Sequence, residues 1–194
     1  MNKLVESMCI ALIGLPGSGK SHLKKKVLSI YPNIKALIPM TTRKPRGNEV
    51  NGRDKYFVSE AEFMKKKSAG DLFLEIETYS QKSGFSKLDL CDHQCYISEF
   101  YYKDVQSLVN VFRKCIFILI MPINTEVLIS NLCLRDAEAK ETEARLDSIK
   151  EEIMQLEEMH KLNAFDFVFI NSYDKNSEDA FIDIIDNITK DIIC

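Results

Sequence analysis

The sequence predicts an α/β protein with a mostly parallel sheet flanked by helices. Three observations predict it. Short apolar runs alternate with stretches of helical spacing along all 194 residues. The glycine-rich stretch Gly14-Leu15-Pro16-Gly17-Ser18-Gly19-Lys20-Ser21 lies between one such run, Met8 to Ile13, and a helical stretch with Leu23, Val27 and Ile30 at helical spacing. Cys115 to Met121, the longest purely apolar run, has the length of a buried strand and is far too short to span a bilayer.

The elements follow in order. Pro32-Asn33 marks a turn and Ile34 to Ile38 a short strand. A polar, turn-rich stretch from Thr41 to Asp54 runs into the strand-like Lys55 to Val58. Ser59 with Glu62 three residues on is a capping-box start for a helix ending near Gly70. Leu72 to Glu77 reads as a strand, and Tyr79 to Leu90 as a loop with a short helix after Gly84. Gln94 to Phe100 reads as a strand and Tyr101 to Phe112 as a helix. Asn124 caps a helix through Leu134, and the charged Arg135 to Glu143 leads into a long helix ending near Leu162. Phe165 to Ile170 is the last strand and Glu178 to Ile192 the last helix.

Composition narrows the class. With 45% hydrophobic and 28% charged residues the chain can bury the core of one globular domain. A net charge of −3 favours neither nucleic acid nor membrane. Its distribution is uneven: Lys20 to Lys67 holds thirteen bases against four acids, and Asp136 to Asp191 sixteen acids against six bases. That split suits a phosphate-handling N-terminal half, with solvated helix faces explaining much of the acidic excess. Met1 to Ser7 is too short and polar for a secretory signal, so a cytoplasmic protein with reduced thiols is expected. Cys91 and Cys95 flank His93 but lack a second matching pair, so both read as packing residues rather than zinc ligands.

Gly14 to Ser21 fits G-x-x-x-x-G-K-S, the phosphate-binding P-loop. Its glycines let the backbone curl so that N–H groups point at phosphate oxygens, and the helix N-terminus adds partial positive charge. All eight positions are candidate ATP-binding residues. Lys20 is expected to bridge the β- and γ-phosphates, and the Ser21 hydroxyl to help hold Mg²⁺. Farther along, Arg43 and Arg46 beside Pro45 make a poor helix but a good fork for a phosphate, since each guanidinium can bond two oxygens.

Thr41-Thr42-Arg43-Lys44-Pro45-Arg46, Glu49-Val50-Asn51-Gly52-Arg53-Asp54, Phe57-Val58-Ser59, Glu62-Phe63 and Phe73-Leu74-Glu75 follow the P-loop. With Arg135, Arg145-Leu146 and Phe165 to Asn171, this series resembles the guanylate kinase family in order and spacing over most of the chain. The resemblance implies a P-loop kinase fold with an ATP-binding core (1–38, 93–134 and 146–194), an inserted acceptor-nucleotide subdomain (39–92) and a helical lid (135–145). It implies transfer of phosphoryl from ATP to GMP with Mg²⁺, by a monomer or homodimer. Arg43 and Arg46 would grip the acceptor phosphate and Glu75 would read guanine, whose adjacent N1–H and N2–H donors suit a carboxylate. Arg43 is expected to be catalytic along with Lys20, Arg135 and Arg145, the last two swinging in on lid closure. Asn171 would border the adenine of ATP.

The departures lie on the acceptor side. Pro39 stands where the family has a serine, Lys55 where it has a phosphate-binding tyrosine, and Ser83-Gly84-Phe85-Ser86 where it has Tyr-Gly-Ser/Thr. Lys55 keeps a cation for the phosphate. An extra residue within Ala69 to Leu72 leaves the register into Glu75 open, a lid arginine appears as Asn131, and the acidic residue near the metal matches either Ser98 or Glu99. Two other readings fit the residues: a kinase of this architecture acting on another phosphorylated acceptor, and a non-catalytic module binding phosphopeptides through Arg43 and Arg46.

Overall fold

The computed structural model describes residues 4–47, 49–78, 81–124, 126–130 and 139–190. Among them, nine strands form two sheets. The larger is centred on β1 (Val5–Gly14), with β7 (Cys95–Phe100) and β8 (Phe112–Pro122) beside it and β2 (Ile34–Ala36) and β9 (Phe167–Asn171) outermost. Every pairing in it is parallel. A strand of a parallel sheet is covered on both faces, which is why Met8 to Ile13 is apolar without alternation.

Helices close both faces. Met8, Ile10 and Leu12 pack with Leu23 and Val27 of α1 (Lys20–Ile30) and with Phe181, Ile185 and Ile188 of α5 (Lys175–Lys190). Cys9, Ala11 and Ile13 face the other way, toward Leu108 and Val111 of α3 (Val105–Val111) and Ile149 and Leu156 of α4 (Ala139–Lys161). None of the described helices is long and apolar enough to cross a membrane.

The smaller sheet runs β4 (Tyr56–Phe57), β3 (Met40–Thr41), β6 (Gln81–Ser86), β5 (Leu72–Thr78). One face is covered by α2 (Glu60–Ser68), whose Phe63 packs on Met40 and Leu72. The other presents Leu74 and Phe85 to the main core, with the Phe85 ring 4.8 Å from that of Phe100.

The capping box forms: Glu62 N–H donates to Ser59 Oγ at 3.2 Å and Ser59 N–H to Glu62 Oε2 at 2.8 Å. The segment around Gly84, expected to be a loop ending in a short helix, is mostly strand. Gln81 to Ser86 is a strand paired to both β3 and β5, followed by a single 3₁₀ turn at Lys87–Asp89. Cross-strand pairing outweighs the local turn signal there. The helix expected over Tyr101 to Phe112 is shorter, because Phe112 is drawn into β8 and Tyr102–Asp104 is a 3₁₀ turn.

Candidate active site

Ligands of open parallel sheets bind outside the carboxyl ends of strands, and the candidate residues gather there. The phosphate loop leaves the end of β1. At Gly14, with φ +148°, a side chain would collide with the Ile120 carbonyl of β8, so only glycine lets the loop start this close to the sheet. Gly19, with φ +92°, caps α1, and a side chain there would run into the Asn171 amide. Lys20 Nζ lies over the loop and donates to Gly14 O and Leu15 O, each at 2.7 Å.

Next to it, at the end of β7, stands Glu99. Its Oε2 accepts from the Ser21 hydroxyl at 2.8 Å, and its Oε1 pairs with Lys24 Nζ at 2.7 Å. Burial alone would raise the Glu99 carboxyl, but Lys24, Lys20 and the Ser21 hydroxyl outweigh it and bring it down to about 2. Ser98 is buried on the opposite side of the strand and donates to Leu37 O at 2.7 Å. The alternative between Ser98 and Glu99 therefore resolves to Glu99 on geometry. A hydroxyl and an ionised carboxylate 2.8 Å apart are hard oxygen donors of the kind Mg²⁺ takes together with phosphate oxygens and water.

Facing this group is the Thr41 to Lys55 stretch. Glu49 chelates the Arg43 guanidinium, with NH1 donating to Oε2 at 2.7 Å and NH2 to Oε1 at 2.6 Å. It also accepts from the Arg46 N–H at 2.8 Å. Burial opposes ionisation of Glu49, yet these bonds hold its carboxyl below the usual range. Arg43 also stacks on Phe57, 5.7 Å from the ring centroid. Lys55 is pushed down by burial, with Glu99 and Glu49 drawing it up and Arg43 and Lys24 opposing them. Lys25 of α1 reaches across to Asp54 at 2.9 Å, pinning this stretch to the helix that follows the phosphate loop.

The family model for guanylate kinase matches residues 6–90. The guanylate kinase of Wolbachia pipientis wMel is 30% identical over 182 residues, covering 90% of this chain and 87% of that protein. That of Rickettsia prowazekii is 31% identical over 172 residues, covering 86% and 84%. The chain belongs to the guanylate kinase family. The fold agrees too: a crystal structure of guanylate kinase from Anaplasma phagocytophilum superposes with a TM-score of 0.66 at 23% identity, covering 98% of this chain and 87% of that one.

Within this guanylate kinase family member, two expected residues have protein partners of their own. Glu75 lies on the α2 side of the smaller sheet. It pairs across the sheet with Gly84, whose open side meets Phe63 of α2, and its carboxylate bonds Lys67 of α2 at 2.5 Å. The pairing register shifts between Leu72 and Leu74, and with a side-chain period of two such a shift sets which face the residues after it take. Asn171 lies beneath the phosphate loop rather than on an open base-binding surface. It is buried, and its Nδ2 donates to Ser18 O at 2.9 Å.

The three departures are also placed. The Pro39 carbonyl accepts from the Tyr56 N–H at 2.9 Å, so this residue serves the sheet through its backbone. Lys55 lies in the field of Glu99, Arg43, Lys24 and Glu49. Ser83 Oγ donates to Thr41 Oγ1 at 3.0 Å. Arg135 and Asn131 lie outside the described residues, and Arg145 falls within α4, where only its backbone is described.

Sequence reasoning missed Lys24, Lys25, Glu49 and Tyr173. Lys24 had a signal, since it lies three residues after Ser21 and so on the same face of α1. Tyr173 had none, because its place depends on a corner between β9 and α5 that no local pattern announces.

Proposed function

We propose that the protein transfers the γ-phosphoryl group of ATP to GMP, giving ADP and GDP. The observation that carries this reading is that α1, the helix leaving the phosphate loop, bonds Glu99 through Ser21 and Lys24 and the acceptor stretch through Lys25 and Asp54. One helix thus contacts both the end of β7 and the stretch that carries Arg43, Arg46 and Lys55.

An acceptor phosphate oxygen is already ionised, so the reaction needs no strong general base. Positioning and charge neutralisation are the work to be done. The loop N–H groups and Lys20 take the triphosphate of ATP. Ser21 and Glu99 supply the protein's share of an Mg²⁺ site, and that ion supplies neutralisation of charge on the phosphate oxygens. Arg43, Arg46 and Lys55 hold the phosphate of GMP. Arg43 comes to it already oriented by Glu49, so less freedom is lost on binding. Arg135 and Arg145 belong to the lid, residues 135–145, and stabilise charge on the transferring group as it closes over the core and the acceptor subdomain.

A coupled ADP-release assay across GMP, dGMP, AMP, UMP and CMP tests the reading. The expected result is turnover with GMP that Lys20→Ala abolishes. Folded, ATP-binding protein with no turnover on GMP or dGMP would sink it.

A further inference from the structure

Two consecutive carbonyls of the phosphate loop are held from outside by one short corner of chain. At the end of β9 Asn171 Nδ2 donates to Ser18 O at 2.9 Å, and just beyond it the Tyr173 phenol donates to Gly17 O at 2.9 Å. Peptide units of such a loop aim N–H groups inward only when their carbonyls turn outward, and a donor bonded to an outward carbonyl fixes its direction. Asn171 and Tyr173 supply two. Asn171 is itself fixed, since its Oδ1 accepts from the Tyr173 N–H at 3.0 Å and from the Ser177 hydroxyl at 3.1 Å.

Tyr173 holds this position at φ +61°, in the left-handed region that aromatic residues rarely adopt. Its ring lies in van der Waals range of the place a side chain would occupy at Gly19. A glycine would accept that backbone without strain, so the outlier points to work done by the side chain.

We propose that Tyr173 is a positioning residue of the ATP site: its phenol fixes the Gly17 carbonyl outward and so presets the loop N–H groups for the triphosphate. The proposal rests on the reading of Gly14 to Ser21 as the ATP site. Tyr173 acts through the loop and not on the reacting atoms, so its effect belongs to ATP affinity and not to the acceptor.

The test is titration of ATP into wild type, Tyr173→Phe and Tyr173→Gly without GMP, with melting temperatures and both KM values measured alongside. Tyr173→Phe is expected to weaken ATP about five- to tenfold, the scale of one lost hydrogen bond. KM for GMP and the melting temperature stay near wild type. Tyr173→Gly weakens ATP at least as much, although its backbone fits the left-handed φ. Unchanged ATP affinity in Tyr173→Phe overturns the proposal. So does an equal loss for ATP and GMP with a lowered melting temperature, which is the mark of a mere staple between β9 and the core. Because the titration omits GMP, a wrong acceptor assignment does not alter the ATP affinities it measures.

Discussion

The Ser21 hydroxyl and the Glu99 carboxylate meet at 2.8 Å, tying the phosphate loop to the end of β7. Glu99→Gln keeps the shape and removes the charge. Turnover is expected to fall about 10- to 100-fold, with the Mg²⁺ requirement moved to higher concentration, as for the loss of a group that supports a metal site. The same variant reports on stability. The folded-state value of Glu99, about 2, lies below its ordinary 4.5, so its contribution is complete above that ordinary value and is lost as pH falls from there toward 2. Between pH 5 and pH 2.5 the wild-type melting temperature should therefore fall further than that of Glu99→Gln.

Lys55 pits stability against binding. Burial holds its ammonium below the usual range, so at neutral pH the charge disfavours the folded state relative to the unfolded chain. Lys55→Met keeps the stem and removes the charge. Its melting temperature should rise while KM for GMP increases about ten- to a hundredfold, the scale of a charge-assisted bond to phosphate. A raised melting temperature with unchanged KM would remove Lys55 from the acceptor site.

Arg43 and Glu49 form a forked pair with bonds of 2.7 and 2.6 Å. Glu49→Ala releases the guanidinium from its orientation. KM for GMP should rise about tenfold with KM for ATP unchanged, the cost of ordering a side chain that was ordered before. Tighter GMP binding would instead mark Glu49 as a competitor for Arg43.

Glu75 lies on the α2 side of the smaller sheet. Because its carboxylate bonds Lys67 on α2, Glu75→Gln should change KM for GMP by no more than about twofold, the scale of a surface ion pair. Steady-state kinetics with GMP and AMP on this variant decide it, and a large loss with GMP alone would restore Glu75 as the reader of guanine.

How far the chain could be read without its structure depends on where the information lies. The phosphate loop and the capping box at Ser59 are local devices, and each is written within a few consecutive residues. β1 was legible because a strand covered on both faces must be apolar throughout. The facing of Glu75 was not legible, since a register shift near Phe73 decides it and depends on pairing with β6. The Lys25–Asp54 and Lys24–Glu99 contacts join residues far apart in the chain, so the way the donor helix engages the acceptor stretch came only from the fold. Family resemblance named the chemistry, and the geometry added the partners of two of the expected residues, Lys67 for Glu75 and the Ser18 carbonyl for Asn171.

The central claim is that one cleft joins ATP at Gly14 to Ser21 with GMP at Arg43, Arg46 and Lys55. It is tested most directly by separating the products of a reaction containing ATP, Mg²⁺ and GMP. The account predicts ADP and GDP in equal amounts from wild type and neither from Lys20→Ala. ADP formed without GDP, or GDP still formed by Lys20→Ala, would contradict it.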